Sequence, residues 1–126
     1  MSAEQIVNDF IKAIEAQDVD AAVAMVAPNV SYENMPMNPI VGRDAVRQTL
    51  AGFLERATEV DWRIDNQWAV GSTVINERLD RFKIGEGWLE LPVAGIFEVN
   101  TDGLITLWRD YFDLGSYMSQ LTALTS

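Results

Sequence analysis

Val60-Asp61-Trp62-Arg63-Ile64-Asp65 marks the point at which this chain changes its hydrophobic period. Val60, Trp62 and Ile64 alternate with Asp61, Arg63 and Asp65, the spacing of two that sends successive side chains to opposite faces of a strand. Before this segment the apolar residues recur at helical spacing. Ser2 followed by Gln5 forms a capping box, and Ile6, Val7, Phe10, Ile11 and Ile14 then define one helical face. Asp18 is placed to cap a second, short helix containing Ala21, Ala22 and Met25, which Pro28 should end. Val30-Ser31-Tyr32 leaves room only for a brief strand, and Asn34-Met35-Pro36-Met37-Asn38-Pro39 reads as a loop. Gly42 precedes a third helix in which Val46, Leu50, Phe53 and Leu54 share a face.

After the switch, turns at Val70-Gly71-Ser72, Gly85-Glu86-Gly87 and Asn100-Thr101-Asp102-Gly103 divide the chain into four strands joined as hairpins. Asp113 caps a final helix carrying Leu114, Tyr117, Met118 and Leu121. Helices first and strands afterwards specify an α+β architecture: one domain over residues 1–126, with a curved, mainly antiparallel sheet packed against the N-terminal helices. A sheet that curls over helices encloses a pocket, and small-ligand sites are commonly apolar pockets with a few convergent polar groups.

Composition narrows what such a pocket does. The 126 residues, 48% hydrophobic and 22% charged, suit one core that needs neither disulfide nor metal to fold. Nine basic against 19 acidic residues give a formal charge of -10, which argues against nucleic acid or an anionic membrane as partner. MSAEQIVNDF lacks the basic and apolar segments of a secretory signal, and no apolar stretch approaches membrane-spanning length. A soluble, cytoplasmic protein is the expectation. With no histidine and no cysteine, proton chemistry falls to carboxylates, with tyrosine as helper.

Two aspartates lie inside otherwise apolar strands. Alternation from Thr73 to Ile84 aligns Val74, Asn76, Arg78, Asp80 and Phe82, so Arg78 and Asp80 are neighbours on one face. From Leu104 to Phe112 it aligns Leu104, Thr106, Trp108, Asp110 and Phe112, setting Asp110 between two large aromatics. A guanidinium accepts more than one carboxylate partner, so Arg78 would bridge both acids if the strands approach. The same pattern also describes an exposed ion pair worth about 0–1 kcal/mol, and the spacing alone leaves both readings open.

Four segments carry a resemblance: Tyr32-Glu33-Asn34-Met35-Pro36, Gly42-Arg43-Asp44-Ala45-Val46, Glu77-Arg78-Leu79-Asp80 and Trp108-Arg109-Asp110-Tyr111-Phe112-Asp113-Leu114. In motif and spacing the chain resembles the limonene-1,2-epoxide hydrolase family over nearly its whole length. The resemblance implies a cone-shaped, nuclear-transport-factor-2-like (SnoaL-like) fold and a homodimer. It further implies that Asp110, Tyr32 and Asn34 hold the attacking water, with Asp110 as general base. Asp80 is then the general acid and Arg78 the bridge between the two. No cofactor and no metal enter that scheme.

Such a site suits epoxide opening, which needs a base for the water and an acid for the departing oxygen at once. In an apolar pocket the Asp–Arg–Asp group is neutral with one carboxyl protonated, so desolvation favours the state that supplies both. The absence of histidine excludes the route through an aspartyl ester released by histidine-activated water. Phe53, Phe82, Leu91, Val93, Phe112 and Met35 are the expected apolar wall, for a compact hydrophobic epoxide. Two alternatives remain: a ketosteroid-isomerase-like proton shuttle, whose tyrosine would fall where this chain has Phe10, and a noncatalytic binding protein on the same fold.

Overall fold

The computed structural model describes all 126 residues. Its elements run α1 (Ala3–Glu15), α2 (Val19–Val23), β1 (Val26–Met35), β2 (Ile40–Val41) and α3 (Arg43–Leu54). The second half holds β3 (Glu59–Val70), β4 (Thr73–Ile84), β5 (Gly87–Val99), β6 (Ile105–Tyr111) and α4 (Leu114–Thr125). Three helices start where their caps predict. Ser2 Oγ accepts from the Gln5 amide at 3.1 Å, Asp18 Oδ1 from Ala21 at 3.0 Å and Asp113 Oδ1 from Ser116 at 3.1 Å.

The strands form one six-stranded sheet in the order β2-β1-β6-β5-β4-β3. Every neighbouring pair is antiparallel except β1 and β6, which run parallel. The helix-first, strand-later α+β order read from the sequence is the architecture of the molecule. Helix α1 lays Val7, Phe10, Ile11 and Ile14 on the inner face of the sheet, where Phe10 meets Trp108 edge-on at 5.0 Å and Phe97 at 6.3 Å. Each such side chain contributes about 1.5–3 kcal/mol through burial. Helix α4 closes on β5, with the Gln120 side chain donating to the Glu90 carbonyl and accepting from its amide, both at 2.9 Å.

The longest departure from the sequence reading comes from a long-range strand pairing. β1 runs for ten residues rather than as a short strand at Val30-Ser31-Tyr32, because it pairs with β6, far along the chain. That pairing takes Pro28 into the strand, where the register shifts between Val26 and Ser31, and it also takes Asn34 and Met35 out of the expected loop. Helix α2 ends at Val23, so Met25 lies beyond it, its carbonyl accepting from the Ile105 amide at 2.9 Å.

Two further irregularities reset the inward alternation. In β3, Ile64 opposes Arg78 but Asn66 opposes Glu77, leaving Asp65 as an extra residue. Gln67 therefore turns inward opposite Asn76, while Trp68 turns out. In β6, Ile105 opposes Val99 and Leu107 opposes Glu98, so Ile105 is fully buried in place of the expected Leu104 and Thr106.

Candidate active site

One row of residues crosses the sheet and carries the polar centre. Gln67 on β3 opposes Asn76 on β4, Asn76 opposes Gly95 on β5, Gly95 opposes Asp110 on β6, and Asp110 pairs with Asn34 on β1. With no side chain at Gly95, the Arg78 guanidinium reaches across β5 from its own strand to Asp110. A glycine inside a strand marks such a close approach.

Arg78 Nε donates to Asp80 Oδ1 and Nη2 to Asp80 Oδ2, both at 3.0 Å, a bidentate pair. Nη2 also donates to Asp110 Oδ2 at 2.9 Å, and Nη1 to Asn76 Oδ1 at 2.9 Å. The indole Nε1 of Trp108 donates to the same Asp110 Oδ2 at 3.0 Å, leaving Asp110 Oδ1 buried with no hydrogen-bond partner. Arg78, Asp80 and Asp110 are 2%, 3% and 4% exposed, so this is not the surface ion pair that the spacing alone allowed. The guanidinium lies 5.0 Å over the Trp62 ring and 5.9 Å over Phe97, and these aromatic walls intensify its attraction for the carboxylates.

Burial is the strongest influence on the Asp80 carboxyl; with Arg78 opposing it and Asp110 adding to it, the group is pushed up to about 6. Burial also raises the Tyr32 phenol, reinforced by the charge of Asp110, so the hydroxyl keeps its proton as a donor. For Arg78, burial pulls downward, but Asp110 and Asp80 outweigh it and raise the group, fixing its positive charge.

A cavity of about 380 Å³ opens on this centre, with Tyr32, Asn34, Asp80 and Asp110 among its lining. Tyr32 is held flat on Trp108, ring centroids 3.7 Å apart and planes 9° from parallel. Of the expected apolar wall, Phe53, Phe82, Leu91, Val93 and Phe112 all line the cavity. Met35 does not: as the last residue of β1 it is held in the sheet, and Met37, two residues into the loop, lines the cavity instead. Arg78 is not at the cavity surface; it sits behind the carboxylates. Helix α3 adds Gln48 and Thr49, and the turn that follows it adds Arg56, none of which the sequence reading singled out. Gly95, Asn76 and the Trp108 indole were likewise missed as site residues, although a glycine in mid-strand and an asparagine on a core-facing row are both visible signals. No three carboxylates converge to hold a metal ion. No helix is long and apolar enough to cross a membrane.

Comparison with known proteins places the chain in a family. The chain is 35% identical over 108 residues to epoxide hydrolase EphG of Mycobacterium tuberculosis, covering 86% of this chain and 71% of that protein. The structure of an M. tuberculosis epoxide hydrolase described as limonene-epoxide-hydrolase-like superposes with a TM-score of 0.82 at 32% identity, covering 98% of this chain and 91% of the other. A SnoaL-like polyketide cyclase structure from Shewanella denitrificans superposes at 0.80 with 17% identity over 96% and 97% of the chains, a likeness of fold alone. The model of the limonene-1,2-epoxide hydrolase catalytic domain matches residues 1–123, and the chain belongs to that epoxide hydrolase family.

Proposed function

We propose that the protein adds water to a compact hydrophobic epoxide, of the limonene-1,2-epoxide kind, and releases a vicinal diol after a single chemical step. The observation that carries this reading is one buried arginine hydrogen-bonded to two carboxylates that both line an apolar cavity. Water held by Asp110, Tyr32 and Asn34 gives a proton to Asp110 as its oxygen attacks an epoxide carbon. The carbon–oxygen bond on that carbon breaks, and the departing oxygen takes the proton of Asp80. One proton has entered Asp110 and one has left Asp80, so the total charge of the group is unchanged. Proton exchange within the Asp–Arg–Asp group restores the starting state.

Each transfer contributes about 10²- to 10⁴-fold, and holding the water in line adds to it. A pKa of about 6 keeps a useful fraction of Asp80 protonated near neutrality, where an ordinary aspartate would hold almost no proton. The cavity wall of Phe53, Phe82, Leu91, Val93 and Phe112 favours an apolar substrate and excludes competing water. The ketosteroid-isomerase-like alternative gains no support. Phe10 is fully buried and edge-packed on Trp108, and it offers no hydroxyl.

The protein acts as a homodimer in this reading. Trp68 and Ile75 are cross-strand neighbours on the outer face of the sheet, 52% and 40% exposed, and supply an apolar patch of the kind an interface covers.

The test is diol formation from limonene-1,2-epoxide and cyclohexene oxide by the wild type and by Asp110→Asn. Turnover that vanishes in the folded variant supports the reading; undiminished turnover refutes Asp110 as base. A single turnover in labelled water should place the label in the diol, and an unlabelled first turnover would indicate a covalent ester instead.

A further inference from the structure

Arg78 needs more than its two carboxylates to stay where it is. Its Nη1 points away from both and donates to Asn76 Oδ1 at 2.9 Å. Asn76 is fully buried, at a position between Val74 and Arg78 where an aliphatic residue would pack without any polar cost. Its own amide is oriented in turn, Nδ2 donating to Gln67 Oε1 at 3.1 Å. Gln67 Nε2 then donates to Asn8 Oδ1 on α1 at 2.8 Å. Because a guanidinium only donates, Asn76 must present its oxygen to Arg78, and the direction of every later amide follows from that constraint.

The chain's own geometry invests in this relay. The extra residue Asp65 turns Gln67 inward opposite Asn76; uninterrupted alternation from Val60, Trp62 and Ile64 would have sent Gln67 outward and Trp68 in. A core aromatic is thus moved to the surface and an amide brought in.

We propose that Asn76 is a positioning residue for epoxide opening, and that the Asn8–Gln67–Asn76 relay holds the Arg78 guanidinium at the location from which it bridges Asp80 and Asp110. This rests on the hydrolase reading above. The acceptor at Nη1 fixes the rotation of the planar guanidinium about its stem, so that Nε and Nη2 face the carboxylates. It also draws on the guanidinium with a neutral group, so the carboxylates do not have all of its polarity. The titratable groups facing the network are Asp80 on β4, Asp110 on β6, Tyr32 on β1 and Glu15 on α1. β5 contributes only Gly95, Val93 and Leu91 there, and Asp65 on β3 is held on the exposed side by Arg63 at 2.7 Å.

Two substitutions at Asn76 should act in opposite directions. In Asn76→Leu the guanidinium keeps only carboxylate acceptors, stabilises their ionised forms more strongly, and the basic limb of the kcat profile moves to lower pH. In Asn76→Asp a third carboxylate joins the group, the shared proton is held more tightly, and the limb moves to higher pH by about one unit. Both should lower kcat roughly tenfold or more while leaving KM near its original value, since Asn76 is absent from the cavity wall.

The experiment is a pH profile of kcat and KM with cyclohexene oxide for the wild type, both Asn76 variants and Gln67→Leu, with Asp110→Asn assayed in parallel. Gln67 is only half-buried, so its variant keeps the test open if Asn76→Leu fails to fold. Opposite displacements at Asn76, with a smaller shift toward lower pH in Gln67→Leu, bear the proposal out. Unmoved limbs in the folded variants overturn it, as does a change confined to thermal stability. Full activity in Asp110→Asn instead overturns the hydrolase reading beneath it.

Discussion

Gly95→Ala should disable the site without emptying it of any functional group. A Cβ at residue 95 would stand 2.8 Å from Asp110 Oδ1 and 2.9 Å from Asn76 Oδ1, and closer still to Arg78 Nη1. Ordinary contact requires about 3.5 Å, so each oxygen must retreat by roughly 0.6 Å and the guanidinium by more. None of these groups swings freely. Arg78 is tied to Asp80, Asp110 and Asn76, and Asp110 is also tied to Trp108. A misplacement of about 1 Å costs on the order of 10²-fold in rate, and that is the expected fall in kcat. Overpacking of this kind destabilises by about 1–3 kcal/mol, offset in part by the roughly 0.5–1 kcal/mol gained when alanine replaces glycine in a strand. The variant therefore stays folded at 25 °C. Initial rates of diol formation from limonene-1,2-epoxide measure the first quantity and thermal unfolding by circular dichroism the second. KM should hardly change, because Gly95 is not part of the cavity wall. A Gly95→Ala enzyme with wild-type kcat would refute the claim that the guanidinium's position across β5 is what the reaction depends on.

Asp80 also ties activity and stability to pH. Its folded pKa of about 6 lies above the ordinary aspartate value, so the folded state holds the proton more tightly than the unfolded chain. Stability should fall as pH rises from about 4 through 6, and kcat should decline above a midpoint near 6 as Asp80 loses its proton. In Asp80→Asn, urea unfolding at pH 4 and pH 7 should lack that component, and turnover should drop by about 10²- to 10⁴-fold. Trp68→Lys should yield monomers by light scattering, whereas an unchanged dimer would locate the interface elsewhere.

What the sequence made legible was local. The caps at Ser2, Asp18 and Asp113 act through an amide three residues on, and the hairpin turns at Gly71 and Gly85 join strands that are adjacent in the chain. The full length of β1 was not legible, because the residues that make it a strand lie on β6. The same holds for the parity defects at Asp65 and Thr106, which exist only as a mismatch between two strands' counts. Within the site, Arg78 and Asp80 share a strand face, so alternation brings them together; Asp110 enters from another strand, and only register shows that a glycine separates it from Asn76. The residues missed carry no reactive group of their own. Gly95 contributes by lacking a side chain, and Asn76 by occupying the one guanidinium nitrogen that no carboxylate reaches.

Those omissions explain why the two acids differ. Asp80 takes both ends of a bidentate pair with Arg78, whereas Asp110 receives Arg78 and Trp108 on one oxygen and keeps the other free of partners. A buried charge network is a poor source of stability, since desolvation largely cancels its attraction. In the proposed reaction its asymmetry has a use instead: an acid on one side, and on the other a carboxylate oxygen with unspent accepting capacity. Arg78 divides itself in this way across a strand that puts no side chain in its path, with its far nitrogen donating to Asn76. The difference in hydrogen bonding between two identical residue types thus goes with a glycine and an amide that are absent from the cavity wall.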